Sequence, residues 1–380
     1  MSKRILDFNS QLFRIFGHHV FDYDQVEVHR NNCQQANGIY DIIFCHREGL
    51  QDNFEEIKSY TKPTTHLIID TTVESGNIDI LLDAVNHICE TEPFKVTLII
   101  DADMNCYLEN NKVSFECIYG SELVFFAHTN VFSDSRTFIE PDTYNYIHKF
   151  QSLNGSMREN RVLLLLELIK RKLGVGDRNT PISFLFYRNK QEKFSHHDLN
   201  KLVKQLESNG RINKEDVQLL LNFELPLNYD YREEEYHNIN HKIDHNDLAL
   251  INIVTENTHG LGIKKDISKY ITTFTEKTLK PFLSGQIPIF IGPPNLEKEL
   301  RKLGFDLFDD LIDYSFESEQ DQHARLKLKI NELERLLDTD IFEYRKLNNL
   351  RFNKNRILVQ KLANKGFDIV DEFITNIIYT

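Results

Sequence analysis

The stretch from Thr273 to Gly292, T-F-T-E-K-T-L-K-P-F-L-S-G-Q-I-P-I-F-I-G, holds residue types suited to binding an anion. Thr275 is a good N-cap, and Glu276 and Lys277 would open a helix behind it. Gly285 suits a left-handed stop, and residues 287 to 291 form an apolar run of strand length. A helix start at the mouth of a sheet offers free backbone N–H groups and a positive dipole end, both suited to phosphate. Lys277 would add a full positive charge there, and Glu276 could accept hydrogen bonds from sugar hydroxyls. The same residues would serve equally well as a capped structural helix with an exposed ion pair.

Other constellations are less specific. Asp101-Ala-Asp103 follows the apolar run V-T-L-I-I, and two carboxylates at i and i+2 after a strand can chelate an oxygen-seeking ion. A three-residue match in an acidic chain is weak, and the expectation is that no metal is held. His237, His241 and His245 recur every four residues, the spacing of metal ligands on one helix face. Their surroundings, E-E-E-Y-H-N-I-N-H-K-I-D-H-N-D, are too polar for such a helix and read as a solvated loop. His196-His197 before Asp198 reads as a helix start. The chain lacks G-x-x-x-x-G-K-S/T, G-x-G-x-x-G and G-x-S-x-G, so nothing points to a nucleoside triphosphatase, a dehydrogenase or a serine hydrolase.

The elements that must position these residues follow from the hydropathy pattern. The 380 residues suffice for two domains, and 41% hydrophobic with 27% charged residues is globular composition. Strands are expected at 38–45, 66–70, 96–101 and 123–127, with helices at 53–60 and 77–88 between them, an alternation that implies a parallel sheet. The segment C-Y-L-E-N-N-K-V-S-F-E-C, turning at Asn110-Asn111, reads as a local β-ribbon. A polar stretch around Pro141 places a domain junction near residue 145. A second α/β domain follows over 146–320: a strand, a helix at 161–173, a strand at 182–187, helices at 198–207 and 214–222, and a strand before Glu256. Residues 321–380 read as charged C-terminal helices. Leu326, Ile330, Leu333 and Leu337 make one apolar stripe for packing on the chain's own domains, with homodimerisation as the sharper alternative.

Five cysteines without a C-x-x-C pair read as reduced thiols and a cytoplasmic setting. No apolar run reaches membrane-spanning length, and the N-terminus lacks signal-peptide character. A net charge of −13 and a pI near 5.6 argue against nucleic-acid binding by the whole surface.

Three ordered segments carry a family resemblance. The first, T-E-K with its small-residue helix and strand, resembles the donor-binding segment of α-1,3-fucosyltransferases. Its longer form, through L-R-K-L-G-F-D-L-F-D-D-L-I-D, is similar to glycosyltransferase-like relatives from phages and marine bacteria. The second, L-A-L-I-N-I-V-T-E-N-T at 248–258, resembles that family's strand ending in a Glu-Asn pair, here Glu256 and Asn257. The third, S-L-N-G-S-M-R-E-N-R-V-L-L-L-L-E-L at 152–168, resembles the loop and Arg-led helix that open the donor domain. Phe274 stands where the family's motif carries a tyrosine, and Val254 and Thr255 replace an aromatic before the Glu-Asn pair.

The resemblance, over roughly residues 145–320, implies a GT-B-like α/β fold: two facing Rossmann-like domains, an acceptor side at 1–145 and a donor side at 146–320. It implies an inverting, metal-independent glycosyltransferase that uses a nucleotide-sugar donor and needs no cofactor. Arg161, with Arg158 as a second candidate one turn earlier, would contact the donor's phosphates, since guanidinium binds phosphate oxygens in pairs. Lys277 and the helix start at Thr275 would join them, and Glu256, Asn257 and Glu276 would meet ribose or sugar hydroxyls. The catalytic base would be an N-terminal-domain carboxylate after a strand, with Asp70, Glu74, Asp101 and Glu48 all fitting. The acceptor would be a glycan or a lipid-linked sugar. Two alternatives stay open: a phage DNA glycosyltransferase acting on hydroxymethylated bases, and a catalytically inactive binding protein with the same fold.

Overall fold

The computed structural model describes residues 3–8, 26–30, 38–70, 78–100, 113–119, 123, 146, 148–154, 157–175, 182–184, 199–223, 249–256 and 274–379. The chain divides into two compact units. One comprises Met1–Asp134, His259–Glu276 and Gln360–Thr380, and the other Ser135–Thr258 and Lys277–Val359.

The first unit is built on a parallel sheet of strands β1 (Lys3–Phe8), β2 (Val26–Arg30), β3 (Ile42–His46), β4 (His66–Asp70), β5 (Lys95–Ile100) and β6 (Glu116–Tyr119). Helices α1 (Arg47–Ser59) and α2 (Ile78–Thr91) link β3 to β4 and β4 to β5. The strand order is β2-β1-β3-β4-β5-β6, with every neighbouring pair parallel. Crossover helices cover such a sheet, so its strands read as unbroken apolar runs. Ile5, Leu6, Ile43, Leu67, Ile69, Leu98 and Ile100 are buried accordingly. Thr97 interrupts β5 at no cost, because its hydroxyl lies 2.7 Å from His66 Nε2.

Of the expected β-ribbon, Glu116 and Cys117 belong to β6, a parallel partner of β5 in the main sheet. A local turn signal carries no information on which distant strand such a segment joins. Of the strand expected at 123–127 only Leu123 is described; it is helical and buried. Periodicity alone does not separate a short apolar strand from a buried helical turn.

The second unit carries a sheet of β7 (His148–Asn154), β8 (Ile182–Phe184), β9 (Ala249–Thr255) and β10 (Ile287–Ile291), in the order β10-β9-β7-β8 and again parallel. Its helices are α3 (Glu159–Arg171), α4 (Leu199–Ser208), α5 (Lys214–Asn222), α6 (Glu276–Leu283), α7 (Leu296–Lys302), α8 (Gln322–Leu337) and α9 (Ile341–Leu347). Helix α10 (Asn349–Tyr379) starts in this unit and ends in the first. Every residue of β9 and β10 is buried. Pro288 is compatible with β10 because that strand lies at the sheet edge, where one missing N–H breaks no ladder. Gly285 turns the chain from α6 into β10 at φ 63°, and Tyr146 Oη clamps the turn through the carbonyls of Ser284 and Gly285 at 2.8 and 2.9 Å. The stripe Leu326, Ile330, Leu333 and Leu337 packs into this unit's own core.

Candidate functional site at a sheet switch point

In the second unit β7 comes first in the chain, with β8 on one side and β9 on the other. The winding direction therefore reverses between β7 and β9, and ligands of open α/β sheets bind outside the carboxyl ends of strands at such a point. The side chains at these ends are polar and tied together. Asn154 ends β7, Thr255 ends β9, and Glu256 follows Thr255. Arg161, in the first turn of α3, donates from Nε to Thr255 Oγ1 at 3.0 Å. Thr255 Oγ1 donates to Asn154 Oδ1 at 2.5 Å, and Asn154 Nδ2 donates to Ser152 Oγ at 3.0 Å. A guanidinium 4% exposed is thus set against the switch point by a hydroxyl whose orientation an amide fixes.

Glu256 is held from three sides. Asn160 Nδ2 donates to its carbonyl at 2.8 Å, its own N–H donates to Ile291 O at 2.9 Å, and the Thr278 hydroxyl donates to its Oε1. Gly292, just past β10, leaves the space this carboxylate needs. A Cβ on Gly292 would stand 3.0 Å from Glu256 Cβ and 3.3 Å from Leu296 Cδ2. Here close approach, rather than unusual backbone geometry, requires glycine. The bond to Thr278 fixes the first turn of α6, which also bears half-buried Lys277.

Arg158 is the residue before α3, in extended conformation and with no side-chain cap on the helix start. Its Nε is buried without a protein hydrogen-bond partner. A helix start with uncapped N–H groups, a half-buried arginine and a buried arginine can meet an anion with directed, charge-assisted bonds.

Of the residues expected at a donor site, Arg161 and Glu256 come together at this switch point, Arg158 immediately precedes the helix that carries Arg161, and Lys277 sits on the turn that Thr278 ties to Glu256. Thr275 immediately precedes α6 and is half-buried. Asn257 and the Glu276 side chain lie outside the described residues. Six residues of this network, Ser152, Asn154, Asn160, Thr255, Thr278 and Gly292, were not foreseen from sequence. The signals were present: Asn154 ends a strand run, Asn160 adjoins Arg161, and Thr278 adjoins Lys277.

The carboxylates expected as bases belong to the first unit or fall outside the description. Asp70 ends β4 and Glu48 lies in the first turn of α1, with their side chains outside the described residues; Glu74, Asp101 and Asp103 are outside altogether, as are His237, His241 and His245. The first unit has its own reversal, between β1 and β3. There Asp7, near the carboxyl end of β1, is a fully buried carboxylate that sequence reasoning passed over. Among the described residues no group of three His, Cys, Asp or Glu side chains could hold a metal ion. Cys89 and Cys117 are thiols outside any disulfide. Burial pushes the Cys117 thiol up to about 12, which removes it as a nucleophile near neutral pH.

The fold and this site define a class: a mixed α/β protein with two parallel sheets, each reversing its winding beside buried charged side chains. Among known proteins, no family model matches the chain, and no curated protein sequence matches it. None of the described helices is long and apolar enough to cross a membrane.

Proposed function

We propose that this chain is a nucleotide-sugar-dependent glycosyltransferase of the GT-B-like class, akin to the α-1,3-fucosyltransferase group, with the second unit as the donor-binding half. The observation that carries this reading is the meeting of Arg161 and the Glu256 strand end at the β7–β9 switch point, through Thr255 and Asn154. Arg161 and Arg158, three residues apart on the start of α3, face a donor's pyrophosphate. Lys277, on the turn that Thr278 anchors to Glu256, adds a third cation. Glu256 orders that turn and offers its carboxylate to a ribose or sugar hydroxyl.

In the reaction, an acceptor hydroxyl attacks the anomeric carbon as the bond from that carbon to the diphosphate oxygen breaks. A carboxylate base takes the hydroxyl's proton, with Asp70, Glu74, Asp101 and Glu48 as its candidates. The nucleoside diphosphate leaves with its new charge met by the two arginines, Lys277 and the uncapped α3 start, the job that a divalent ion performs elsewhere. The acceptor class is a glycan or lipid-linked sugar.

Thermal unfolding against a panel of nucleotide sugars and free nucleoside diphosphates tests the reading. One donor at a hundred times its Kd should stabilise the protein by about 2.7 kcal/mol. Lys277→Ala and Arg158→Ala should weaken or abolish that response with little change in the unliganded midpoint. No response to any nucleotide would sink the proposal and leave a glycosyltransferase-like fold without donor binding.

A further inference from the structure

Between Tyr344 and Phe367 the sequence contains Arg345, Lys346, Arg351, Lys354, Arg356, Lys361 and Lys365 and not one Asp or Glu, in a chain of net charge −13. The same stretch holds the three most exposed large hydrophobic residues among those described: Leu350 at 76%, Leu347 at 74% and Ile357 at 53%. Leu350, Lys354 and Ile357 recur at i, i+4 and i+7 and so share one face of α10. Leu347 and Lys346, whose side chain is 79% exposed, end α9 just before it. On the opposite side Phe352, Asn355 and Val359 are buried in the second unit. Leu350 and Ile357 thus lie on the side of α10 turned away from these buried residues.

Nearby carboxylates neutralise only part of this basic stretch. Asp306 and Asp310 are taken by Arg351, at 2.6 and 2.7 Å. Glu343 pairs with Lys346 at 3.8 Å, an exposed ion pair that water screens, and among the described residues Lys354 is in no ion pair. The exposed surface thus combines aliphatic side chains with excess positive charge, within an acidic molecule.

We propose that this α9–α10 face docks onto an anionic lipid bilayer, with Leu347, Leu350 and Ile357 entering the headgroup–acyl boundary and Lys346 and Lys354 meeting lipid phosphates. Aliphatic residues among lysines on one helix face fit an interface that is both apolar and negative. Nucleic acid matches the charge but gives three exposed aliphatic side chains nothing apolar to cover them. A second copy of this chain matches the apolar part, but a two-fold contact would set this basic face against itself. The inference is independent of what the switch-point site binds.

Flotation of the full chain with vesicles is the test. The protein should float with phosphatidylcholine–phosphatidylglycerol vesicles, stay behind with phosphatidylcholine alone, and be released as salt is raised. The triple variant Leu347→Ser, Leu350→Ser, Ile357→Ser should keep the wild-type unfolding midpoint, because all three side chains are exposed. Its bound fraction should fall about tenfold. Lys346→Glu with Lys354→Glu should lose anionic-vesicle binding to a similar degree. Failure to bind anionic vesicles, or binding that the triple variant leaves unchanged, would overturn the proposal. So would a dimer in sedimentation that the triple variant dissolves, or duplex DNA binding that only the lysine variant removes.

Discussion

At the scale of single residues, the second unit's site depends on one hydroxyl. Thr255 Oγ1 accepts from Arg161 and donates to Asn154, so it sets both the position of the guanidinium and the order of the chain of bonds. Thr255→Val keeps shape and volume but leaves a 4% exposed arginine without this acceptor. Loss of a buried bond to a charged group costs about 1.5–3 kcal/mol. We expect a stability loss of that size by chemical denaturation. If the donor site is as proposed, nucleotide affinity should fall as well, while Thr255→Ser should restore most of both. A variant as stable as wild type would show that the bond contributes nothing.

At the scale of elements, α8 holds the end of β10 with buried charge. Lys329 donates to Phe290 O at 2.6 Å and to Glu297 of α7, while its ammonium lies 4.8 Å from the Phe316 ring centre. Burial pushes the Lys329 pKa down, opposed by Glu297. Nearby Arg325 donates to Glu319 O at 3.0 Å and reaches toward Gly292 O. An ion pair removed from water gives little net stability, but breaking it strands a charge. Lys329→Met should therefore cost about 3–5 kcal/mol, and the double change with Glu297→Gln distinctly less. Equal losses in the single and double variants, measured by urea unfolding, would mean that the pair is not coupled. The α8 stripe was legible in sequence because its period is local. The partners of Lys329 were not, since Glu297 and Phe290 lie 32 and 39 residues away in the chain.

At the scale of the whole molecule, acid stability should reflect carboxylates that folding pairs with arginine. Arg351 of α10 grips Asp306 with two bonds, Nε to Oδ2 at 2.6 Å and Nη2 to Oδ1 at 2.8 Å. This pairing outweighs partial burial and holds the Asp306 carboxyl below its ordinary value of 3.8. A carboxylate whose pKa is lower folded than unfolded adds stability above the unfolded value and loses it as pH falls through the folded one. Stability should therefore drop below about pH 4, and Asp306→Asn should flatten that part of the pH profile while lowering the plateau at neutral pH. Identical pH slopes in the two proteins would refute the assignment. The division into units belongs to the same scale. Residues 259–276 and 360–380 group with the N-terminal strands, which a linear reading of composition could not foresee.

The sequence by itself determined the elements. His66–Asp70, Lys214–Asn222 and Ile287–Ile291 form where their periodicity, caps and glycine stops place them, and the helix led by Arg158 and Arg161 follows its strand. These are short-range properties, written in neighbouring residues. Only tertiary structure decided that β7 and β9 adjoin, and hence that Asn154, Arg161, Thr255 and Glu256 converge from positions about a hundred residues apart. It also decided that Gly292 must lack a side chain for Glu256 to fit. Strand order sets such neighbours by burying apolar faces on both sides of a sheet, a condition on the whole chain that no local pattern encodes.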